Sequence, residues 1–118
     1  MKQLLISTFA AAFMLLFGGV NEVNGDPLTY EVVGDAVTIK DCKETASGTL
    51  AIPPIYDGKP VTRIGSWAFW KCTSLTSVTI PDSVTSVGNF TFHSCSSLKS
   101  ITFKGNAPSS LGTDVFKY

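Results

Sequence analysis

Apolar positions recur in the same order twice along the second half of the chain. Residues 61–83 read VTRIGSWAFWKCTSLTSVTIPDS and residues 84–106 read VTSVGNFTFHSCSSLKSITFKGN, abutting without a gap and identical at nine of 23 positions. The first copy supplies the inward candidates Val61, Ile64, Trp67, Phe69, Cys72, Leu75, Val78 and Ile80, and like residues follow 23 positions later. Each copy closes on an alternating stretch, Leu75-x-x-Val78-x-Ile80 and Leu98-x-x-Ile101-x-Phe103. Alternation of this kind sends Val78, Ile80, Ile101 and Phe103 to one face of a short strand. Thr76, Ser77, Thr79, Lys99, Ser100 and Thr102 then form the opposite face, which is small, polar and exposed. One copy cannot bury its apolar face alone, whereas stacked copies cover one another and align identical positions into internal columns.

The flanks extend this plan. TYEVVGDAVTI, residues 29–39, places Tyr30 and Val32 against Val37 and Ile39 across Gly34-Asp35, the pattern of a hairpin with a tight primed turn. Lys40 to Gly48 is a polar connector. Leu50-Ala51-Ile52-Pro53 matches Val78-Thr79-Ile80-Pro81 and predicts a divergent strand, followed by a loop holding Asp57-Gly58. Leu111-Gly112 and Phe116 repeat Val87-Gly88 and Phe92 with one residue inserted, opening a partial third copy. Gly65 and Gly88 recur where the chain is expected to turn with little room for a side chain.

The first 25 residues stand apart. Lys2 gives a basic start, Leu4 to Phe17 carries no charge, and small residues follow. That order describes a secretory signal peptide, with cleavage expected after Gly25; the uncharged run is shorter than the ~20 residues that span a bilayer. The expected organisation is a leader at 1–25, a hairpin cap and connector at 26–49, and a solenoid at 50–118 with full repeats at 61–83 and 84–106 and a partial third at 107–118. The whole chain carries nine basic and nine acidic residues. This balance offers no electrostatic reason to bind nucleic acid, or a membrane once the leader is removed.

A period of 20–29 residues with L-x-x-L-x-L spacing reads as a leucine-rich repeat. The fuller pattern V-T-x-I-G-x-x-A-F-x-x-C-x-S-L-x-S-V-x-I-P-x-S resembles the BspA-like leucine-rich repeat family, and the resemblance runs from about Thr29 to Phe116. It implies a mainly β, short solenoid belonging to a secreted or cell-surface protein, non-catalytic, whose relatives include adhesins for host proteins or other cells. An extracellular protein or cell-surface ligand is the implied partner. The alternative is a structural spacer, or a truncated fragment of a larger surface protein, without binding of its own. Thr91 departs from the pattern where Ala68 stands in the first copy, which predicts looser packing.

Candidate chemistry is thin. His93 is the sole histidine and aligns with Trp70, and no C-x2-C pair accompanies it, so neither a zinc site nor any cofactor is expected. The serines follow the repeat and not a nucleophile elbow, and no catalytic residue is assigned. Cys72 and Cys95 share one repeat position and are expected as neighbouring free thiols in an internal column, a disulfide between them being geometrically conceivable; Cys42 is the third cysteine. Trp67, Trp70 and Phe90 read as edge packing or as anchors for a partner. Asn89-Phe90-Thr91 is a glycosylation sequon whose members the repeat already explains. The ligand-binding face expected from the pattern is the concave one: Thr76, Ser77, Thr79, Lys99, Ser100 and Thr102.

Overall fold

The computed structural model describes residues 26–117, and the expected leader with its expected cleavage point lies outside the described residues. The described chain forms strands β1 (Leu28–Val33), β2 (Ala36–Cys42), β3 (Ser47–Ala51), β4 (Ile55–Tyr56), β5 (Lys59–Ile64), β6 (Ser74–Ile80), β7 (Ser86–Val87), β8 (Ser100–Phe103) and β9 (Ser110–Leu111), with no helix. It winds into a short β-solenoid.

The hairpin forms as predicted. β1 and β2 pair antiparallel around Gly34-Asp35, and Gly34 takes the positive φ of +62° that glycine adopts without steric cost. Asp57 and Gly58 make a second tight turn, with φ of 55° and 74°. It makes the expected loop a two-residue hairpin that joins β4 to β5; two positive φ values in succession are the requirement of a type I′ turn, which Asp-Gly meets.

Two parallel ladders run along the solenoid where the apolar alternation predicts one. In the expected ladder β6 lies between β3 and β8, with Leu50 beside Val78 and Val78 beside Ile101. The second ladder runs β2-β5-β7-β9: Ile39 pairs with Ile64, Ile64 borders Val87, and Val87 borders Leu111. The hairpin is therefore hydrogen-bonded into the stack through β2. β7 and β9 are only two residues long, too short to show a period of two.

A third side is built from turns. Trp67, Phe69 and Lys71 donate their amides to the carbonyls of Asn89, Thr91 and His93 on the next rung, at 3.0, 2.9 and 3.1 Å. Phe90, Phe92 and Ser94 repeat the pattern toward Thr113, Val115 and Lys117. These rung-to-rung bonds satisfy backbone groups that a lone repeat would leave open.

Inside, like residues stack on like. Val61 and Val84, Ile64 and Val87, Cys72 and Cys95, and Leu75 and Leu98 are all buried. The Phe69 and Phe92 rings stack at 4.9 Å, and Phe116 continues the column at 6.1 Å. Trp67 is the exception among the inward candidates, because its side chain stands outside the core at 44% exposure. Ile101 and Phe103 are half-buried, since the partial third turn adds a rung to the β2-β5-β7-β9 ladder and to the turn side but none to the other ladder.

Neither Gly65 nor Gly88 has positive φ; Gly88 is needed because, as expected, little room is left for a side chain where successive rungs approach closely. A Cβ on Gly88 would lie 2.5 Å from the Ser66 nitrogen and 2.8 Å from the Gly65 carbonyl carbon. Nor does Thr91 loosen its repeat. It is fully buried, and its hydroxyl lies 2.7 Å from the Gly88 carbonyl and 3.1 Å from the Gly65 carbonyl, a bridge between two rungs.

Candidate functional site

Two surfaces and one thiol cluster carry the side chains with chemical potential. On the outer face of the β3-β6-β8 ladder, the register sets Ser77 beside Ser100 and Thr79 beside Thr102. Thr49 extends the first row and Ala51 the second. The Ser100 and Ser77 hydroxyls are 3.0 Å apart and hydrogen-bonded. Thr76 falls at a register shift, where Gly48 pairs Leu75 and Thr49 pairs Ser77, and its carbonyl accepts the Lys99 amide at 2.8 Å. The ladder thus brings together four of the six predicted residues in two rows, with Thr76 and Lys99 at the end where the shift occurs. Lys99, Ser100 and Thr102 are exposed, while Thr76, Ser77 and Thr79 are half-buried. A shallow depression of about 430 Å³ adjoins this face, lined by Thr79 together with Ala51, Asp82 and Lys104.

The turn side holds an aromatic corner. The Trp67 and Phe90 rings stack at 4.6 Å, 16° from parallel. Trp70 meets Trp67 edge-on at 5.9 Å, and His93 lies 5.6 Å from Trp67. Lys71 holds its ammonium 4.5 Å over the Trp70 ring, a cation–π contact worth about 0.5–1 kcal/mol at an exposed site. Trp67 and Trp70 remain 44% and 40% exposed. The backbone under the corner is costly: Trp67 and Phe90 have φ of 63° and 54°, the left-handed region that costs a residue with a Cβ about 1–2 kcal/mol. Asp114 occupies the same position in the third turn at φ of 48°, and Asp tolerates that conformation through local hydrogen bonding. Sequence comparison of the copies pairs Trp67 with Phe90, but the positive φ beneath them is a product of the turn geometry and has no sequence signature in an aromatic residue.

The sequon residue has a structural task. The Asn89 carboxamide oxygen accepts the Thr113 amide at 2.7 Å, as the Ser66 hydroxyl one rung earlier accepts the Asn89 amide at 3.1 Å.

The three cysteines are buried free thiols. Cys95 donates to the Phe69 carbonyl at 2.9 Å, and burial is the main cause pushing its pKa up to about 11. Cys42 and Cys72, from the hairpin and the first full repeat, both approach the Lys43 carbonyl; the interaction between the two thiols raises the Cys42 pKa and lowers that of Cys72. The thiol that shares the Lys43 carbonyl with Cys72 is thus Cys42. His93 bonds Ser94 through Nδ1 at 2.9 Å and lies in the aromatic corner. Among the described residues no group of three or more His, Cys, Asp or Glu side chains is placed to hold a metal ion.

Comparison with known proteins agrees with the stacking. The family described as "BspA type Leucine rich repeat region (6 copies)" matches residues 49–118. The chain belongs to this BspA-type leucine-rich repeat family. A solved leucine-rich repeat protein from Bacteroides capillosus is 33% identical, with a TM-score of 0.58 over 68% of this chain and 63% of its own length. A leucine rich cell surface protein from Faecalibacterium prausnitzii is 29% identical, with a TM-score of 0.62 over 75% of this chain and 26% of its own. The T. pallidum leucine rich repeat protein, TpLRR, shares the fold at a TM-score of 0.64 and 24% identity, over 76% of this chain and 53% of its own. The chain therefore spans less than two thirds of the length of each of these proteins. No curated protein matches it.

Proposed function

We propose that this BspA-type repeat chain is a non-catalytic interaction module, secreted or displayed at the cell surface, that holds an extracellular protein or cell-surface ligand. The observation that supports this reading is the aromatic corner. Trp67 and Phe90 sit exposed or half-buried at positive φ in two successive rungs, where the third rung uses an aspartate. Two such residues cost about 2–4 kcal/mol of backbone strain, and the ring stack returns about 0.5–1.5 kcal/mol of it beyond burial. Half-exposed tryptophans beside a cation are also the residue types that anchor partners most often. The similar Faecalibacterium protein is a leucine rich cell surface protein, consistent with that location.

A second reading places the ligand on the hydroxyl rows of β6 and β8. It is supported by the side-by-side register of Ser77 with Ser100 and Thr79 with Thr102, with Thr76 and Lys99 at their end. These rows offer hydrogen bonds without a large apolar anchor, so a single copy would bind weakly and depend on multivalent display. An array of extracellular-matrix proteins and glycans, probed with the chain displayed in many copies, separates the readings. Trp67→Ala with Trp70→Ala should abolish capture while Thr79→Glu with Thr102→Glu retains it. The opposite pattern assigns the site to the hydroxyl rows. A wild-type chain that captures nothing on the array is a spacer, and the interaction reading then fails.

A further inference from the structure

Cys42 closes β2 and Cys72 precedes β6, 30 residues later, yet both thiols point at the same atom. The Cys42 Sγ lies 3.7 Å from the Lys43 carbonyl oxygen, and the Cys72 Sγ lies 3.6 Å from that oxygen and 3.7 Å from the Cys42 carbonyl. Both side chains are buried, at 2% and 0% exposure. The backbone between them is held in place by the Cys42 amide, which donates to the Ala68 carbonyl at 2.8 Å. Cys95 is aimed elsewhere, at the Phe69 carbonyl 2.9 Å away. Sequence alignment of the copies pairs Cys72 with Cys95; the fold instead turns Cys72 toward the hairpin.

We infer that Cys42 and Cys72 are a disulfide-forming pair, a covalent staple between the hairpin and the first full repeat that closes under oxidising conditions and leaves Cys95 as the free thiol. The chemistry is thiol–disulfide exchange with a small-molecule or enzyme disulfide as oxidant. The thiolate of Cys72 attacks one sulfur of that disulfide and expels the other as a thiolate. Cys42 then loses its proton to the expelled thiolate and attacks the Cys72 sulfur of the mixed disulfide, expelling the second thiolate, which takes up the proton lost by Cys72. Two protein thiols are oxidised and one oxidant disulfide is reduced to two thiols. The favoured nucleophile is Cys72, whose pKa the neighbouring Cys42 thiol lowers. Burial in the docked state means that exchange takes place as the hairpin docks during folding, and that the closed bond is then shielded from reductants. Nothing in this inference depends on which surface binds a partner.

The test is refolding of the chain from denaturant in buffer containing glutathione disulfide and glutathione, followed by acid quench, unfolding, alkylation and peptide mass mapping. The expected product is a Cys42–Cys72 crosslinked peptide with Cys95 alkylated. Closing a loop of this length should raise the melting temperature over the reduced chain by about 10–20 °C. Cys95→Ala should leave both the crosslink and the shift intact, and Cys42→Ser should abolish both. Alkylation of all three cysteines, a dominant Cys72–Cys95 crosslink, or a crosslink without thermal gain would each overturn the inference.

Discussion

Alanine in place of Gly88 measures how closely the rungs are stacked. The added Cβ would stand 2.5 Å from the Ser66 nitrogen and 2.8 Å from the Ser66 Cα and the Gly65 carbonyl carbon. All three neighbours are backbone, so no side chain can swing aside. The amide of Gly88 also bonds the Ile64 carbonyl at 2.8 Å, and opening the gap lengthens that bond. Overpacking costs about 1–3 kcal/mol, and contact with backbone places this site at about 3 kcal/mol. For a domain of this size each kcal/mol shifts the midpoint by about 4–8 °C, so the melting temperature should fall by roughly 12–24 °C. Gly65 supplies the control. Its Cβ would meet the Ile39 carbonyl oxygen at 3.2 Å and the Thr38 methyl at 3.9 Å, a small overlap offset by the ~0.4–1 kcal/mol gained when alanine stiffens the unfolded chain. Gly34 isolates the other mechanism, since it has open space around it but a φ of +62°, which costs alanine about 1–2 kcal/mol. Thermal melts followed by circular dichroism should rank the losses Gly88→Ala, then Gly34→Ala, then Gly65→Ala near zero. Equal losses at Gly65 and Gly88 would refute the close-approach account, because the two positions are equivalent in sequence and differ only in what lies above them.

Thr91→Val keeps the shape and removes the hydroxyl that bonds the Gly88 and Gly65 carbonyls; leaving buried acceptors short of a donor should cost about 1–3 kcal/mol in urea titrations, and an unchanged midpoint would show that the bridge is idle. The stability contributed by Cys95 and Tyr30 should hold up to about pH 9 and then decline. The Cys95 pKa is raised from 9.0 to about 11, chiefly by burial, and Tyr30 is raised by burial and by its hydrogen bond to Asp26. A group whose folded pKa exceeds its unfolded value contributes fully below the unfolded pKa and loses that contribution as pH rises through the folded one. Urea midpoints measured from pH 7 to 11 should therefore fall more steeply above pH 9 in the wild type than in Cys95→Ala.

The period of the chain and its register were legible in the sequence, because stacking imposes the same environment on every 23rd residue and the apolar columns follow. Phe69 over Phe92 and Leu75 over Leu98 are direct translations of the repeat, as is the strand at Leu50 that aligns with Val78. The Gly34-Asp35 hairpin was equally legible, since that turn is specified by the two residues it contains. Other features arise only when rungs meet. β7 and β9 have two residues each and exist as strands because β5 presents an edge to β7, and β7 in turn to β9. Gly88 is required by the Gly65-Ser66 backbone above it, 23 and 22 residues earlier in the chain. Trp67 reads as core by its apolarity and stands outside, because the positive φ of its turn directs the side chain away from the interior column. Cys72 repeats as Cys95 in sequence, but its partner thiol comes from the hairpin, whose docking onto β5 brings Cys42 alongside. Local sequence specifies turns and periodicity because both depend on residues close in the chain. Which side chains meet across rungs depends on how the hairpin docks and how closely the turns approach, and these contacts are long-range.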